Sequence, residues 1–131
     1  MLEPPVKPIE WCSDSVRIID QTKLPQKEEY VELKCAREVA QAIKMMNLRG
    51  APLIGIAAAM GVALEARRLE HLGWQDFASG VEGAIRELQA TRPTASNLFW
   101  ALGRMRTVLS QFSQQSPRAC TESLIADAMR I

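Results

Sequence analysis

The chain has 131 residues, a length that fits one domain. Its 16 Lys and Arg nearly balance 15 Asp and Glu, so the formal net charge is +1. That balance argues against a nucleic-acid binder that works through bulk positive charge, and against an acidic tail. Hydrophobic residues make up 47% of the chain and charged residues 24%, which indicates a globular protein and excludes a disordered one.

The sequence shows no signal peptide at residues 1–9 and no apolar run long enough to span a membrane. Residues 1–9 carry three prolines and lack the basic segment and apolar stretch of a signal peptide. The apolar run over residues 51–64 contains glycine and proline and is too short to span a bilayer. We therefore expect a cytoplasmic protein without a membrane partner.

The cysteines and the one histidine do not form a metal-binding pattern. Cys12, Cys35 and Cys120 are widely spaced, form no CxxC pair, and have only His71 as a further soft ligand. A zinc site and a disulfide framework are therefore not expected, and three reduced thiols are the interpretation that fits best. His71 follows a predicted helix and is interpreted as a solvent-facing or capping residue, with a catalytic base as the alternative.

The first quarter of the chain predicts a small β element. Residues 1–10 are expected to form an extended, proline-rich lead-in. The runs Val16–Asp20 and Tyr30–Lys34 are rich in β-branched or alternating residues, and Pro25 lies between them as a turn former. We expect an antiparallel hairpin, so that residues 1–34 form the lead-in and hairpin.

From residue 35 onward the apolar spacing becomes helical, which predicts a mostly helical α+β fold with a helical bundle over residues 35–131. The predicted helices are one from Cys35 that stops near Asn47, then Pro52–Leu69, Trp74–Gln89, about Pro93–Phe112, and Ala119–Arg130. The second has small residues on all sides and is expected to be central.

The predicted core faces follow from spacing. In the fourth helix, Leu98, Leu102, Met105 and Leu109 recur every three or four residues, and Trp100 is placed with them in the core. The last helical segment has no capping signal. It is interpreted either as a frayed terminal helix or as one that breaks off before its natural end, and the second interpretation makes residues 35–131 a truncated domain.

The segment around Arg49 and Gly50 is the first candidate for chemistry. Gly50 permits positive φ or close approach of a ligand, and Pro52 suits the first helical position. The N–H groups of Leu53 and Ile54 would then lack helical partners and could bind an anion beside the Arg49 guanidinium. The alternative is that Gly50 caps the preceding helix and Arg49 is a surface charge.

A second segment repeats this arrangement, with Arg92 before Pro93 and then a helix that Thr91 or Thr94 could cap. Two arginines placed before proline-initiated helices favour a shared phosphate clamp, although spacing does not establish that they converge. The acids Asp20, Glu65 and Glu82 have no evident paired partner, and no nucleophile–histidine arrangement is present.

These two segments, RGAPLIGIAAA at residues 49–59 and TRPTASNLFWAL at residues 91–102, resemble the N-terminal region of the methylthioribose-1-phosphate isomerase family. That family is related to the regulatory subunits of translation initiation factor 2B and to ribose-1,5-bisphosphate isomerase. The resemblance covers essentially the whole chain, and IIDQ with LP at residues 18–25 resembles the family's opening strand. The departures are Met60, where tyrosine is frequent, and Gly103, where an acidic residue is common.

The resemblance implies an aldose–ketose isomerase of methionine salvage that converts 5-methylthioribose 1-phosphate to 5-methylthioribulose 1-phosphate. It implies substrate contacts from Arg49, Gly50, Ala51 and Arg92, no metal or organic cofactor, and a homodimer. It also implies a C-terminal Rossmann-like domain, absent from this chain, that holds the catalytic cysteine and aspartate. We thus expect no catalytic residue here and an inactive isolated chain. The alternatives are a non-catalytic subunit related to initiation factor 2B and a stand-alone binding or assembly fragment.

Overall fold

A computed structural model describes residues 8–23, 26–45, 47, 50–92, 96–112 and 116–131. Within these ranges a small sheet is followed by helices, which confirms the predicted mostly helical α+β fold. The elements are β1 (Ile9–Trp11), β2 (Val16–Ile19), a 3₁₀ turn (Gln21–Lys23), β3 (Tyr30–Leu33), α1 (Ala36–Lys44), α2 (Ala51–Leu69), α3 (Trp74–Gln89), α4 (Ser96–Gln111) and α5 (Pro117–Ala128).

The sheet is antiparallel, with β2 between β1 and β3. The predicted hairpin of β2 and β3 is confirmed, with Ile18 opposite Val31. The extended lead-in also contributes a strand that was not predicted, since Ile9 pairs with Ile18 and begins β1. Leu24 and Pro25, in the predicted turn, lie outside the described residues.

Helix α2 is the centre of the bundle, as its small residues predicted, and it packs against α1, α3, α4 and α5. Ala57, Ala58 and Ala59 are fully buried. At Gly61 a β carbon would lie within 3.3 Å of side-chain carbons of Val39 in α1 and Leu88 in α3. The absence of a side chain at Gly61 therefore lets both neighbouring helices approach α2 closely.

The predicted core faces of α3 and α4 are confirmed, with one correction. The buried residues are Phe77, Val81, Ile85 and Leu88 in α3, and Leu98, Leu102, Met105 and Leu109 in α4. Trp100 was placed in this core, and that prediction is wrong, since it is 56% exposed. Two residues advance a helix by about 200°, so Trp100 faces away from the side that Leu98 buries.

Two helix boundaries differ from those predicted. Helix α1 ends at Lys44 with Met45 as its C-cap, three residues before the predicted stop at Asn47. Helix α5 begins at Pro117 instead of Ala119, since the Ser116 hydroxyl accepts a hydrogen bond from the Ala119 N–H and proline suits a first helical position. The predicted start of α4 at Pro93 lies outside the described residues.

Candidate functional site

Gly50 introduces α2, the first of the two helix starts named by the sequence. It is the N-cap residue, with φ +101° and ψ 124°, a backbone conformation that favours glycine. This excludes the alternative in which Gly50 caps the preceding helix. Ala51 is the first residue of α2 and Pro52 the second, while Arg49 lies outside the described residues.

The backbone at this helix start corrects one expectation. The Ile54 N–H was expected to lack a helical partner, but it donates to the Gly50 carbonyl oxygen at 2.9 Å. Any anion bound here would therefore be recognised through N–H groups earlier than Ile54 and through nearby side chains.

Arg92, the second of the two arginines predicted to contact the substrate, is half-buried in the connection between α3 and α4. Its Nη2 atom donates to the Ile43 carbonyl oxygen at 3.5 Å, a long contact with the last turn of α1. Thr91 was a candidate cap for α4, but its hydroxyl donates to the Leu88 carbonyl oxygen at 2.6 Å and so belongs to the end of α3. The other candidate, Thr94, lies outside the described residues.

The first turns of α2 and α4 lie against each other. A β carbon on Gly55 would lie 3.0 Å from the Asn97 carbonyl oxygen, so the two backbones are in direct contact. A cavity of about 230 Å³ opens beside this contact, lined by Pro52, Trp100 and Arg130 among others. The two motifs, about 40 residues apart in the sequence, are thereby brought to one place in the fold.

The Trp100 ring at this cavity is supported by a cation that the sequence analysis did not single out. The Arg104 guanidinium lies 5.1 Å from the ring centroid and donates two hydrogen bonds to the Asp127 carboxylate, at 3.1 and 2.5 Å. The i, i+4 spacing of Trp100 and Arg104 was a signal that could have revealed this stacking. Because Asp127 already neutralises Arg104, this arginine supports the Trp100 ring and is poorly suited to bind an anion.

Asp20 was expected to have no evident partner, and that expectation is wrong. One of its carboxylate oxygens, Oδ1, accepts hydrogen bonds from the Thr22 N–H at 2.9 Å, the Thr22 hydroxyl at 2.6 Å and the Asn47 side-chain amide at 2.9 Å. Asp20 is 6% exposed, and these hydrogen bonds, that of Asn47 foremost, lower the pKa of its carboxyl below the usual value. This cluster lies at the end of β2, beside the loop that precedes α2.

The other two acids also have partners. Glu65 accepts a hydrogen bond from the Ala36 N–H at 3.2 Å and pairs with Arg68 at 2.7 Å. Glu82 pairs with Arg106 at 3.0 Å. All of these are structural contacts between or along helices, and none of these acids faces the cavity between α2 and α4.

The remaining titratable candidates are scattered. His71 is exposed beyond the end of α2, Cys12 and Cys35 are partly exposed, and Cys120 is buried in α5. Burial raises the pKa of the Cys120 thiol to about 11. Within the described ranges there is no group of three side chains able to hold a metal ion, and no helix long and apolar enough to cross a membrane.

Comparisons with known proteins identify the family of the chain. The model of the initiation factor 2 subunit family matches residues 47–131, which include both helix starts. The chain therefore belongs to the initiation factor 2 subunit family. A methylthioribose-1-phosphate isomerase of Geobacter sulfurreducens is 45% identical over 123 residues, which cover 94% of this chain and 36% of that relative.

Two solved structures share the fold. A 5-methylthioribose 1-phosphate isomerase from Pyrococcus horikoshii superposes with a TM-score of 0.89 at 36% identity, covering 94% of this chain and 35% of that one. The delta subunit of translation initiation factor eIF-2B from A. fulgidus superposes with a TM-score of 0.84 at 35% identity, covering 96% and 36%. The family resemblance drawn from the two motifs is confirmed. This chain spans about a third of the length of these relatives.

Proposed function

We propose that this chain supplies the N-terminal, substrate-binding part of an aldose–ketose isomerase that converts 5-methylthioribose 1-phosphate to 5-methylthioribulose 1-phosphate. The observation that carries the proposal is the 45% identity to a methylthioribose-1-phosphate isomerase over 94% of this chain. Within the proposal, residues 1–34 are the lead-in and β element, and residues 35–131 form the helical substrate-binding unit.

The proposed substrate contacts are Arg49, Gly50, Ala51 and Arg92. A sugar phosphate presents a dianion, which forked guanidinium groups and the N–H groups of a first helical turn can both bind. The positive φ of Gly50 supports this assignment, because a glycine at that point leaves space for a ligand against the backbone. Among the described residues, leaving aside the two neighbours of Gly50 in the chain, no atom lies within 4 Å of the position that a β carbon of Gly50 would take.

The chemistry itself requires groups that we do not assign to this chain. A phosphate on the anomeric oxygen prevents spontaneous ring opening, so the enzyme must protonate the ring and then move hydrogen between C2 and C1. The family resemblance places the required cysteine and aspartate in the C-terminal domain, and it implies no metal or cofactor. We therefore expect the isolated 131 residues to have no isomerase activity. A homodimer and a cytoplasmic location are part of the same proposal.

A chimeric enzyme tests the proposal whatever the native length of this protein. The matching N-terminal third of the Geobacter sulfurreducens isomerase is replaced with this chain, and turnover of 5-methylthioribose 1-phosphate is compared with that of the unaltered enzyme. We expect an active chimera. Its Arg92→Ala variant should lose about a hundredfold in kcat/KM, the scale of one lost transition-state contact.

The matched control is Arg86→Ala, which removes an exposed arginine from the last turn of α3, away from the contact between α2 and α4. Its kinetics should equal those of the chimera. A chimera that folds but gives no turnover, or an Arg92→Ala variant with unchanged kinetics, would contradict the proposal.

A second candidate is a non-catalytic regulatory subunit, favoured by the similarity to the eIF-2B delta subunit from A. fulgidus at a TM-score of 0.84. Such a subunit would keep the fold without needing transition-state contacts. The same chimera separates the two candidates, since a regulatory sequence should fold in that context without restoring turnover.

A further inference from the structure

The carboxylate of Asp20 lies outside the proposed substrate contacts but is bonded to the segment that leads into them. The Asn47 side chain donates to Asp20 Oδ1 at 2.9 Å, and the Gln21 N–H donates to the Asn47 carbonyl oxygen, also at 2.9 Å. Asn47 is therefore held at both its side chain and its backbone by the end of β2. It lies three residues before Gly50.

A second contact holds the last turn of α1, which ends three residues before Asn47. Arg92 Nη2 contacts the carbonyl oxygen of Ile43, in the last turn of α1. On the far side, the Ile54 N–H bonds the Gly50 carbonyl oxygen at 2.9 Å and closes the first turn of α2. Asn47 is thus tied to the sheet, and Ile43, in the last turn of α1, is tied to the α3–α4 connection.

The Asp20 contact is well suited to fixing a loop. A hydrogen bond to an ionised carboxylate is stronger than one between neutral groups, and burial limits competition by water. The Thr22 N–H and hydroxyl hold the carboxylate itself in place, at 2.9 and 2.6 Å. An aspartate is ionised at neutral pH, and the hydrogen bonds from Asn47 and Thr22 lower the pKa of the Asp20 carboxyl below its ordinary value. Among the described residues, the ionisable side chain that contributes to that shift is Lys23, which also favours the charged form.

We propose that Asp20 is a positioning residue, which acts through Asn47 to set the first turn of α2 and so the placement of Gly50. This inference rests on the proposed function in that Gly50 is a proposed substrate contact. The positioning itself can be measured without substrate. The proposal predicts that loss of the Asn47 bond loosens the first turn of α2 in particular, which a general contribution to stability would not do.

Amide hydrogen exchange in the 131-residue chain tests the proposal. The probe is the Ile54 N–H in the first turn of α2. The internal reference is the Phe77 N–H, which makes the equivalent bond to Gly73 in the first turn of α3 at 3.0 Å. Asn47→Ala should raise the Ile54 exchange rate relative to Phe77 by about tenfold, the scale of losing one hydrogen bond to a charged group.

The matched control is Ser15→Ala, which removes a hydroxyl bond to a different carboxylate, that of Glu32 at 2.9 Å, and leaves the bond between Asp20 and Asn47 in place. Its ratio of Ile54 to Phe77 exchange should remain within about twofold of that of the parent chain. An unchanged ratio in Asn47→Ala, or equal acceleration of both amides in both variants, would overturn the positioning role, because it would show no effect or only a global one.

Titration with inorganic phosphate, followed through the Gly50 amide shift, separates this inference from the proposed function. We expect a shift in the parent chain and in Ser15→Ala, and a reduced one in Asn47→Ala. Equal shifts in Asn47→Ala and the parent would count against the positioning role. If the exchange ratios change as expected but the parent chain shows no phosphate response, positioning is supported and phosphate binding at Gly50 is contradicted.

Discussion

Gly55 of α2 faces the backbone of Asn97 in α4 so closely that a β carbon on Gly55 would lie 3.0 Å from the Asn97 carbonyl oxygen. This contact joins the beginnings of the two helices that carry the recognisable motifs. Because the neighbouring atom belongs to helix backbone, it cannot move aside as a flexible side chain would. The small residue at 55 is therefore required by the meeting of the two helix starts.

Gly55→Ala is expected to destabilise the chain by about 1–3 kcal/mol, since the added methyl group must push α2 and α4 apart. Urea unfolding followed by circular dichroism measures the change in the free energy of unfolding. The control is Gly103→Ala in α4, where a β carbon would have no atom of a described residue within 4 Å, apart from its own helix backbone and chain neighbours. That substitution should stabilise the chain by about 0.5–1 kcal/mol, because alanine favours helix more than glycine does. If Gly55→Ala leaves the free energy of unfolding unchanged, the two helices can move apart without destabilising the chain.

Periodicity predicted most of this fold. The spacing of Phe77, Val81, Ile85 and Leu88 identified the buried face of α3, and the β-branched runs identified β2 and β3. Short strands escape such reasoning, as β1 did, since Ile9–Trp11 has only three residues. Trp100 was wrongly assigned to the apolar stripe of α4. It lies two residues after Leu98, about 200° further around the helix, and it stacks with Arg104.

The site was predictable in part. The residues of the two helix starts were named from capping chemistry and glycine freedom, and Gly50 has the positive φ expected of it. The two helix starts meet through Gly55 and Asn97. This is a tertiary contact, which no local sequence pattern predicts. The link from Asp20 to Asn47 joins residues 27 positions apart and was missed for the same reason.

Gly50→Ala isolates the cost of the positive φ. We expect a loss of about 1–3 kcal/mol in the free energy of unfolding, because a residue with a β carbon is strained at φ +101°. The matched control is Gly73→Ala, since Gly73 is also an N-cap residue with open space around it, but at φ −65°. Chemical denaturation of both variants gives the difference. Equal losses would assign the effect to capping instead of backbone strain.

Cysteine labelling should divide the three thiols into two classes. The thiolate is the reactive form, and burial raises the pKa of the Cys120 thiol to about 11. At pH 8 we expect a chromogenic disulfide reagent to react rapidly with Cys12 and Cys35, which are partly exposed. Cys120 should react only after denaturation. Rapid reaction of three thiols in the folded chain, or a labelled Cys120 peptide, would contradict the described packing of α5.

Asp20 should make the stability of the chain depend on acid pH. Its folded-state pKa lies below the ordinary value of 3.8, owing first to the hydrogen bond from Asn47 and then to that from the Thr22 hydroxyl. A carboxyl whose pKa is lowered by folding stabilises the protein fully above its unfolded pKa, and this contribution is lost as the pH falls through the folded pKa. We therefore expect Asp20→Asn to reduce the free energy of unfolding at pH 7 and to flatten its decline below about pH 4.

Urea unfolding at a series of pH values from 7 down to 2.5 measures this dependence. The control is Asp14→Asn, which makes the same substitution at an exposed position between β1 and β2. If Asp20→Asn retains the full acid sensitivity of the parent, the bonds to Asn47 and Thr22 do not stabilise the charged form in solution. If it loses that sensitivity, the carboxylate that ties β2 to the loop before α2 is charged in the folded chain and contributes to stability.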